Sequence, residues 1–230
     1  MKFFKSGVAL SLLIGIGILF LFIFYLDGVV MLWISDFHRS RFLGRPLFDI
    51  VNRGVEIMGQ GNTLTVVILV CYGVGKFFNR RLCEAAKYSL VGFITSGLFV
   101  QILKHLIGRG RPRLTGHLDQ LDSLIFIGPT LQKKYNALPS GHAAAAFCIA
   151  YIFSKFFPRY KVIFYLLAVL VGLHRMEELA HFPSDILAGA LIGLVVGKLI
   201  TSEAFNQYKD KILLKFRSRI RSEKVKPKQE

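Results

Sequence analysis

Acidic residues are scarce in this 230-residue chain: 14 Asp and Glu stand against 30 Lys and Arg, a formal net charge of +16. In a soluble protein that imbalance points to nucleic acid, but the basic residues here fall between long uncharged blocks and in the C-terminal tail, which argues against such a partner. Cysteine is also sparse. Cys71, Cys83 and Cys148 sit in or beside apolar blocks, and none has a partner at metal-ligand or redox spacing. A cysteine metal centre and a dithiol redox site are therefore excluded, and the three are packing residues. There is no internal repeat. What is abundant is apolar material, 53% of residues with 13% aromatic, which excludes a disordered or collagen-like chain and suffices for one domain. Gathered in blocks with few charges, it marks an integral membrane protein.

A hydrocarbon layer of roughly 30 Å needs about 20 helical residues. Six runs of that order predict six transmembrane helices in an all-α bundle. The first, Gly7 to Leu26, follows Lys2 and Lys5 and lacks a small-residue cleavage site, so it is expected to be retained. The second lies between Glu56 and Lys76, the third between Lys87 and Lys104, and the fourth between Lys134 and Lys155. The fifth, Val162 to Leu173, is short. The sixth begins near Pro183, suited to a first helical turn, and runs to about Thr201 with Lys198 able to snorkel.

Between the first two helices, Asp27 to Gly59 mixes apolar residues with Asp36, Arg39, Arg41, Arg45, Asp49 and Arg53, which predicts an interfacial amphipathic helix. Leu106 to Asn136 reads as the principal ordered loop. Residues 1–203 form the membrane domain and 204–230 a basic tail attracted to anionic lipid. With the N-terminus in the cytoplasm, 19 of the 30 Lys and Arg fall on that side, so both termini are expected to be cytoplasmic. The length and the lack of a eukaryotic targeting pattern favour a multi-pass protein of the bacterial inner membrane.

Ionisable residues near membrane depth are costly and by default functional. Three clusters fall at helix ends on the non-cytoplasmic side: Lys104 to Pro112, Pro139-Ser140-Gly141-His142, and Arg175 to Asp185. Lys104, Arg111 and Arg175 supply an ammonium and two guanidinium forks that suit phosphate oxygens. Ser140 is placed as an N-cap, with Gly141 and Ala143 to Ala146 continuing into helix, so free backbone N–H groups face the same anion. His181 and Asp185, four apart, can pair so that the carboxylate holds one imidazole nitrogen and leaves the other as base or nucleophile. His142 is then free as acid and base. This chemistry requires no metal and no cofactor. His38, His105 and His117 have no partner arrangement, and Glu177 and Glu178 read as rim charges.

The pattern Lys-x6-Arg-Pro, Pro-Ser-Gly-His and Arg-x5-His-x3-Asp resembles the signature of the type 2 phosphatidic acid phosphatase (PAP2) family of membrane lipid phosphatases. The similarity covers roughly Lys87 to Thr201. It implies phosphate binding by Lys104, Arg111 and Arg175 with Ser140 and Gly141, a phosphohistidine on His181, acid/base work by His142, and Asp185 as the partner of His181. His174 stands where the family usually has Ser. The implied function is metal-independent hydrolysis of a lipid phosphate or pyrophosphate at the periplasmic face. The head group is open among lipid A, undecaprenyl pyrophosphate, phosphatidylglycerol phosphate and phosphatidic acid. A phosphotransferase using the same histidine and a non-catalytic anion transporter are the alternatives. The partners expected are a phosphorylated lipid and the bilayer, and nothing in the sequence specifies an oligomer.

Overall fold

A computed structural model describes residues 13–39, 46–114 and 124–207. Every regular element among them is a helix, as the long uncharged apolar runs predict. Helix α1 covers residues 13–39, with one π-helical turn at Phe22–Leu26. It is followed by α2 (Pro46–Gly59), α3 (Gly61–Phe78), α4 (Arg80–Ile107), α5 (Gly141–Phe156), α6 (Lys161–Glu177) and α7 (Pro183–Ile200). Among the described residues, four stretches are long and apolar enough to cross a membrane: Leu13–Asp36, Gly61–Phe78, Arg80–Ile107 and Pro183–Ile200. Helices α5 and α6, at 16 and 17 residues, are shorter.

One boundary differs from the sequence expectation. The first helix does not end at Leu26, and the interfacial segment does not begin at Asp27: residues 27–39 continue α1, and the amphipathic helix is the separate Pro46–Gly59. The reason is that Asp27 is wholly buried and paired inside the protein, so its charge does not have to leave the membrane region. The expected N-terminal part of the first span, residues 40–45, part of the principal loop and residues 208–230 of the basic tail lie outside the described residues.

Helix ends follow local chemistry. Ser140 caps α5, its Oγ accepting the Ala143 N–H at 3.4 Å. Gly108 ends α4 in the left-handed region at φ 63°, and a Cβ there would lie 1.9 Å from the Gly128 carbonyl oxygen. That glycine lets the chain turn sharply after Lys104. Helix α5 packs most extensively on α7, with Ser140 and Ala143 against Gly189 and Ala144 and Cys148 against Gly193. A Cβ on Gly189 would sit 2.3 Å from the Ser140 carbonyl oxygen, so the two helices approach at backbone distance, as small residues permit within membranes. Large apolar side chains instead cover the outside, among them Val66, Val70, Phe77, Phe78, Leu98 and Ile102. An apolar exterior around a core of small residues is the inverse of a soluble bundle.

Candidate active site

Because α4 and α6 end, and α5 and α7 begin, at the same end of the bundle, their terminal residues meet there. Lys104 lies in the last turn of α4, only 9% exposed, and forms no salt bridge among the described residues. Its ammonium approaches Gly141, to which an added Cβ would be 4.0 Å from Nζ. Arg111 stands four residues past the end of α4, and Arg175 occupies the last turn of α6. The Nε atoms of both are buried without a hydrogen-bond partner. Buried donors left open at a cationic cluster are what an anion would satisfy. Arg111 lies outside the helices, and burial, followed by the charges of Arg113 and Arg175, pushes its guanidinium below its ordinary range.

His142, in the first turn of α5, is within electrostatic reach of Arg175, His181, Lys104 and Arg111. His181 sits in the turn between α6 and α7, 1% exposed, with Nδ1 3.6 Å from Asp185 Oδ2. That is an electrostatic contact, longer than a hydrogen bond, and it turns Nε2 away from the carboxylate. Burial lowers the His181 imidazole to about 4, partly opposed by Asp185, so the ring is neutral and nucleophilic near pH 7. All eight residues expected from the sequence, Lys104, Arg111, Ser140, Gly141, His142, Arg175, His181 and Asp185, stand at this one end of the bundle.

Asp185 is held by more than the sequence suggested. It occupies the third position of α7, where its Oδ2 accepts the Phe182 N–H at 2.8 Å. Its Oδ1 accepts Arg109 Nη1 at 2.6 Å. The same guanidinium donates from Nη2 to Asp27 Oδ2 at 2.7 Å and from Nη1 to Ser184 Oγ at 2.6 Å. Asp27 Oδ1 also accepts the Ser184 N–H at 2.9 Å, and the Ser184 hydroxyl donates to its other oxygen. Arg109 is itself fully buried, stacked over Phe182 with its central carbon 4.3 Å from the ring centroid. Asp27, Arg109 and Ser184 were missed by sequence reasoning. The nearest signal, Asp27 at the end of the first apolar run, does not tell its buried partner.

Glu177 and Glu178 are more than rim charges. Glu178 binds Arg175 Nη1, and Glu177 accepts Asn52 Nδ2 at 2.8 Å, tying α2 to α6. His174 is buried with both ring nitrogens unpartnered, and Glu178 lies 3.6 Å from its Nδ1. With Glu56 these two bring potential metal ligands within 4.8 Å of one another. The trio suits a cation poorly, because Glu178 already engages Arg175, and Arg111, another cation of the clamp, is within electrostatic reach of it. His105 lies within α4, its Nδ1 2.6 Å from the Gln101 carbonyl one turn earlier. The side chains of His38 and His117 lie outside the described residues.

Known proteins resemble the chain in sequence and in fold. The chain is 33% identical to the lipid A 1-phosphatase of Rhizobium etli over 142 residues, 54% of this chain and 60% of that protein. It is 30% identical to phosphatidylglycerophosphatase B of Bacillus subtilis over 167 residues, 68% of this chain and 75% of the other. The chain thus spans less than two thirds of the Rhizobium etli enzyme. Among solved structures, that of Aquifex aeolicus LpxE superposes with a TM-score of 0.58 at 25% identity, covering 77% of this chain and 95% of that one. The PAP2-type phosphatidylglycerolphosphate phosphatase of Bacillus subtilis gives 0.55 at 27%, covering 83% and 94%. The sequence profile of the PAP2 superfamily matches residues 85–209, which take in all three clusters and every residue of the clamp, and the chain belongs to that superfamily.

Proposed function

We propose that the protein is a metal-independent lipid phosphatase of the bacterial inner membrane, with six spans, cytoplasmic termini and its site at the periplasmic face. The observation that carries the reading is the convergence of three cations, two with buried unsatisfied donors, on a pair of histidines at one end of the bundle. In the first step Nε2 of His181 attacks phosphorus, the bond from phosphorus to the lipid oxygen breaks, and His142 gives that oxygen a proton. In the second, water loses a proton to His142 and attacks, the bond from His181 to phosphorus breaks, and inorganic phosphate leaves. Lys104, Arg111, Arg175 and the N–H groups opening α5 hold the phosphoryl oxygens, and stabilising charge on those oxygens does most to lower the barrier in such transfers. Asp185, kept ionised by Arg109, orients His181.

The relatives named for lipid A and phosphatidylglycerophosphate support a phosphorylated lipid as substrate. The test is phosphate release by detergent-purified protein, with chelator present, on lipid A, undecaprenyl pyrophosphate, phosphatidylglycerol phosphate and phosphatidic acid, beside His181→Ala. Release from at least one lipid, lost in the variant, is expected. Strict dependence on added magnesium, or release that survives the substitution, would overturn the mechanism.

A further inference from the structure

Beyond the clamp, on the loop side, lies a cavity of about 460 Å³ lined chiefly by Lys104, Arg111, Arg113, Lys133, Lys134 and Asn136. Among the described residues, no carboxylate lines it. Arg113, Lys133 and Lys134 make no salt bridge among the described residues, and the Lys134 ammonium rests over the Tyr135 ring, 5.0 Å from its centroid. Backbone hydrogen bonds set these side chains in place: Arg111 N–H donates to the Lys134 carbonyl at 3.2 Å, and Ala137 N–H to the Arg109 carbonyl at 3.0 Å. The turn carrying both lysines is thereby fastened to the stretch of chain that carries Arg111. Asn136, 8% exposed, borders the cavity with a neutral side-chain amide.

One phosphate does not need all of this. Lys104, Arg111, Arg175 and the start of α5 already surround a phosphoryl group, and three further cations crowding the same space raise its energy by mutual repulsion. An added anion relieves that repulsion. Lys104 borders both this cavity and the cleft that holds Gly141 and His142, so an anion bound here is continuous with the reacting group. The cleft in turn shares Leu64 with an apolar cavity between α3, α5 and α6, which suits a hydrocarbon chain.

We infer that the cavity lined by Arg113, Lys133, Lys134 and Asn136 is a second anion subsite that selects lipid head groups carrying another phosphate besides the one hydrolysed. This rests on the lipid phosphatase reading. The second phosphate has two possible sources, the inner phosphate of a diphosphate or a phosphate elsewhere on the head group, and the experiment separates them. The lysines are exposed, so the double variant Lys133→Gln with Lys134→Gln keeps the fold. Its kinetics are compared with the parent on phosphatidic acid, diacylglycerol pyrophosphate and a lipid A bearing two phosphates.

Loss of two partly exposed charged contacts should raise KM for a two-phosphate lipid about tenfold, with phosphatidic acid changed by less than about twofold. A rise on diacylglycerol pyrophosphate alone names the diphosphate, and a rise on lipid A alone names the distant phosphate. Equal changes on all three lipids, or none, overturn the subsite. Should the parent hydrolyse no lipid, the phosphatase reading fails while the subsite stays testable by calorimetry with inorganic pyrophosphate and inorganic phosphate. Selective weakening of pyrophosphate in the double variant supports the subsite, and equal affinities for parent and variant overturn it.

Discussion

Asp27 and Asp185, from α1 and α7, share one guanidinium: Arg109 reaches Asp27 at 2.7 Å and Asp185 at 2.6 Å, with all three side chains wholly buried. Two carboxylates this close to one cation leave a net negative charge in a dry site, so the arrangement needs its remaining donors. Ser184 supplies an N–H and a hydroxyl, and Phe182 an N–H. A buried network of this kind is weak evidence for stability as a whole, because desolvation offsets attraction, but it is intolerant of losing one member. Its consequence for chemistry is orientation. One oxygen of Asp185 is taken by Arg109 and the other faces His181.

Removing the shared cation therefore strands two carboxylates. Arg109→Met should destabilise the protein by about 3–5 kcal/mol, the range for breaking a buried ion pair from one side. Arg111→Met, whose partly exposed guanidinium has no carboxylate bound to it, should cost far less. Thermal unfolding of both variants in detergent compares them. An Arg109→Met protein as stable as Arg111→Met would show that the network does not hold the helices together. Asp27→Asn keeps shape but sets an amide NH2 against a donor, the Ser184 N–H or Arg109 Nη2, so it should also destabilise the protein, though less than Arg109→Met.

Much of the site was legible because its chemistry lies at helix ends, where charges interrupt apolar runs in a fixed order. Lys104, Arg111, His142 and Arg175 needed only that alternation to be placed together. Asp27 was not legible, since a carboxylate at the end of an apolar run looks the same whether it faces water or an arginine 82 residues away. The same ambiguity shortened the first helix. Arg109 was hidden beside Lys104 and Arg111, as residue type does not distinguish a guanidinium that binds substrate from one that binds a carboxylate. Packing of α5 on α7 depends on Gly189 and Gly193, to which hydropathy is blind.

Asp185 orients His181 but does not touch the phosphate in this scheme. Asp185→Asn should lower kcat by at least about tenfold with KM changed by less than about threefold, whereas Arg175→Gln should raise KM as well. Steady-state kinetics on whichever lipid is hydrolysed gives both constants. Parallel changes in the two variants would erase the distinction between orientation and binding.

The buried imidazole of His181, lowered to about 4, makes a prediction about pH. Its ordinary value is about 6.5, so between these limits the unfolded chain binds a proton that the folded chain does not. The sign follows: this group's contribution to stability is complete above about pH 6.5 and declines as pH falls toward 4. In histidine-labelled protein, the His181 resonance, assigned by its loss in His181→Ala, should still report a neutral ring at pH 5.5. A midpoint near 6.5 would mean that water or Asp185 solvates the imidazolium far better than the burial implies.

The close approach of α5 and α7 places His142 as well as the core. A methyl group at Gly189 would meet the Ser140 carbonyl oxygen at 2.3 Å and the Ala143 Cβ at 3.1 Å. Neither neighbour is the flexible end of a side chain, so the helices must separate. Ser140 caps α5 and its N–H donates to the Asp185 carbonyl at 2.9 Å, so the shift passes directly to His142 and to the start of α7. Gly189→Ala should cost about 1–3 kcal/mol, the usual range for overpacking. It should also reduce turnover beyond what the loss of folded protein explains, because proton transfer is sensitive to displacements of about an ångström. Activity per folded molecule, measured alongside thermal unfolding, separates the two effects. Gly17→Ala, where nothing lies within 4 Å, should change neither.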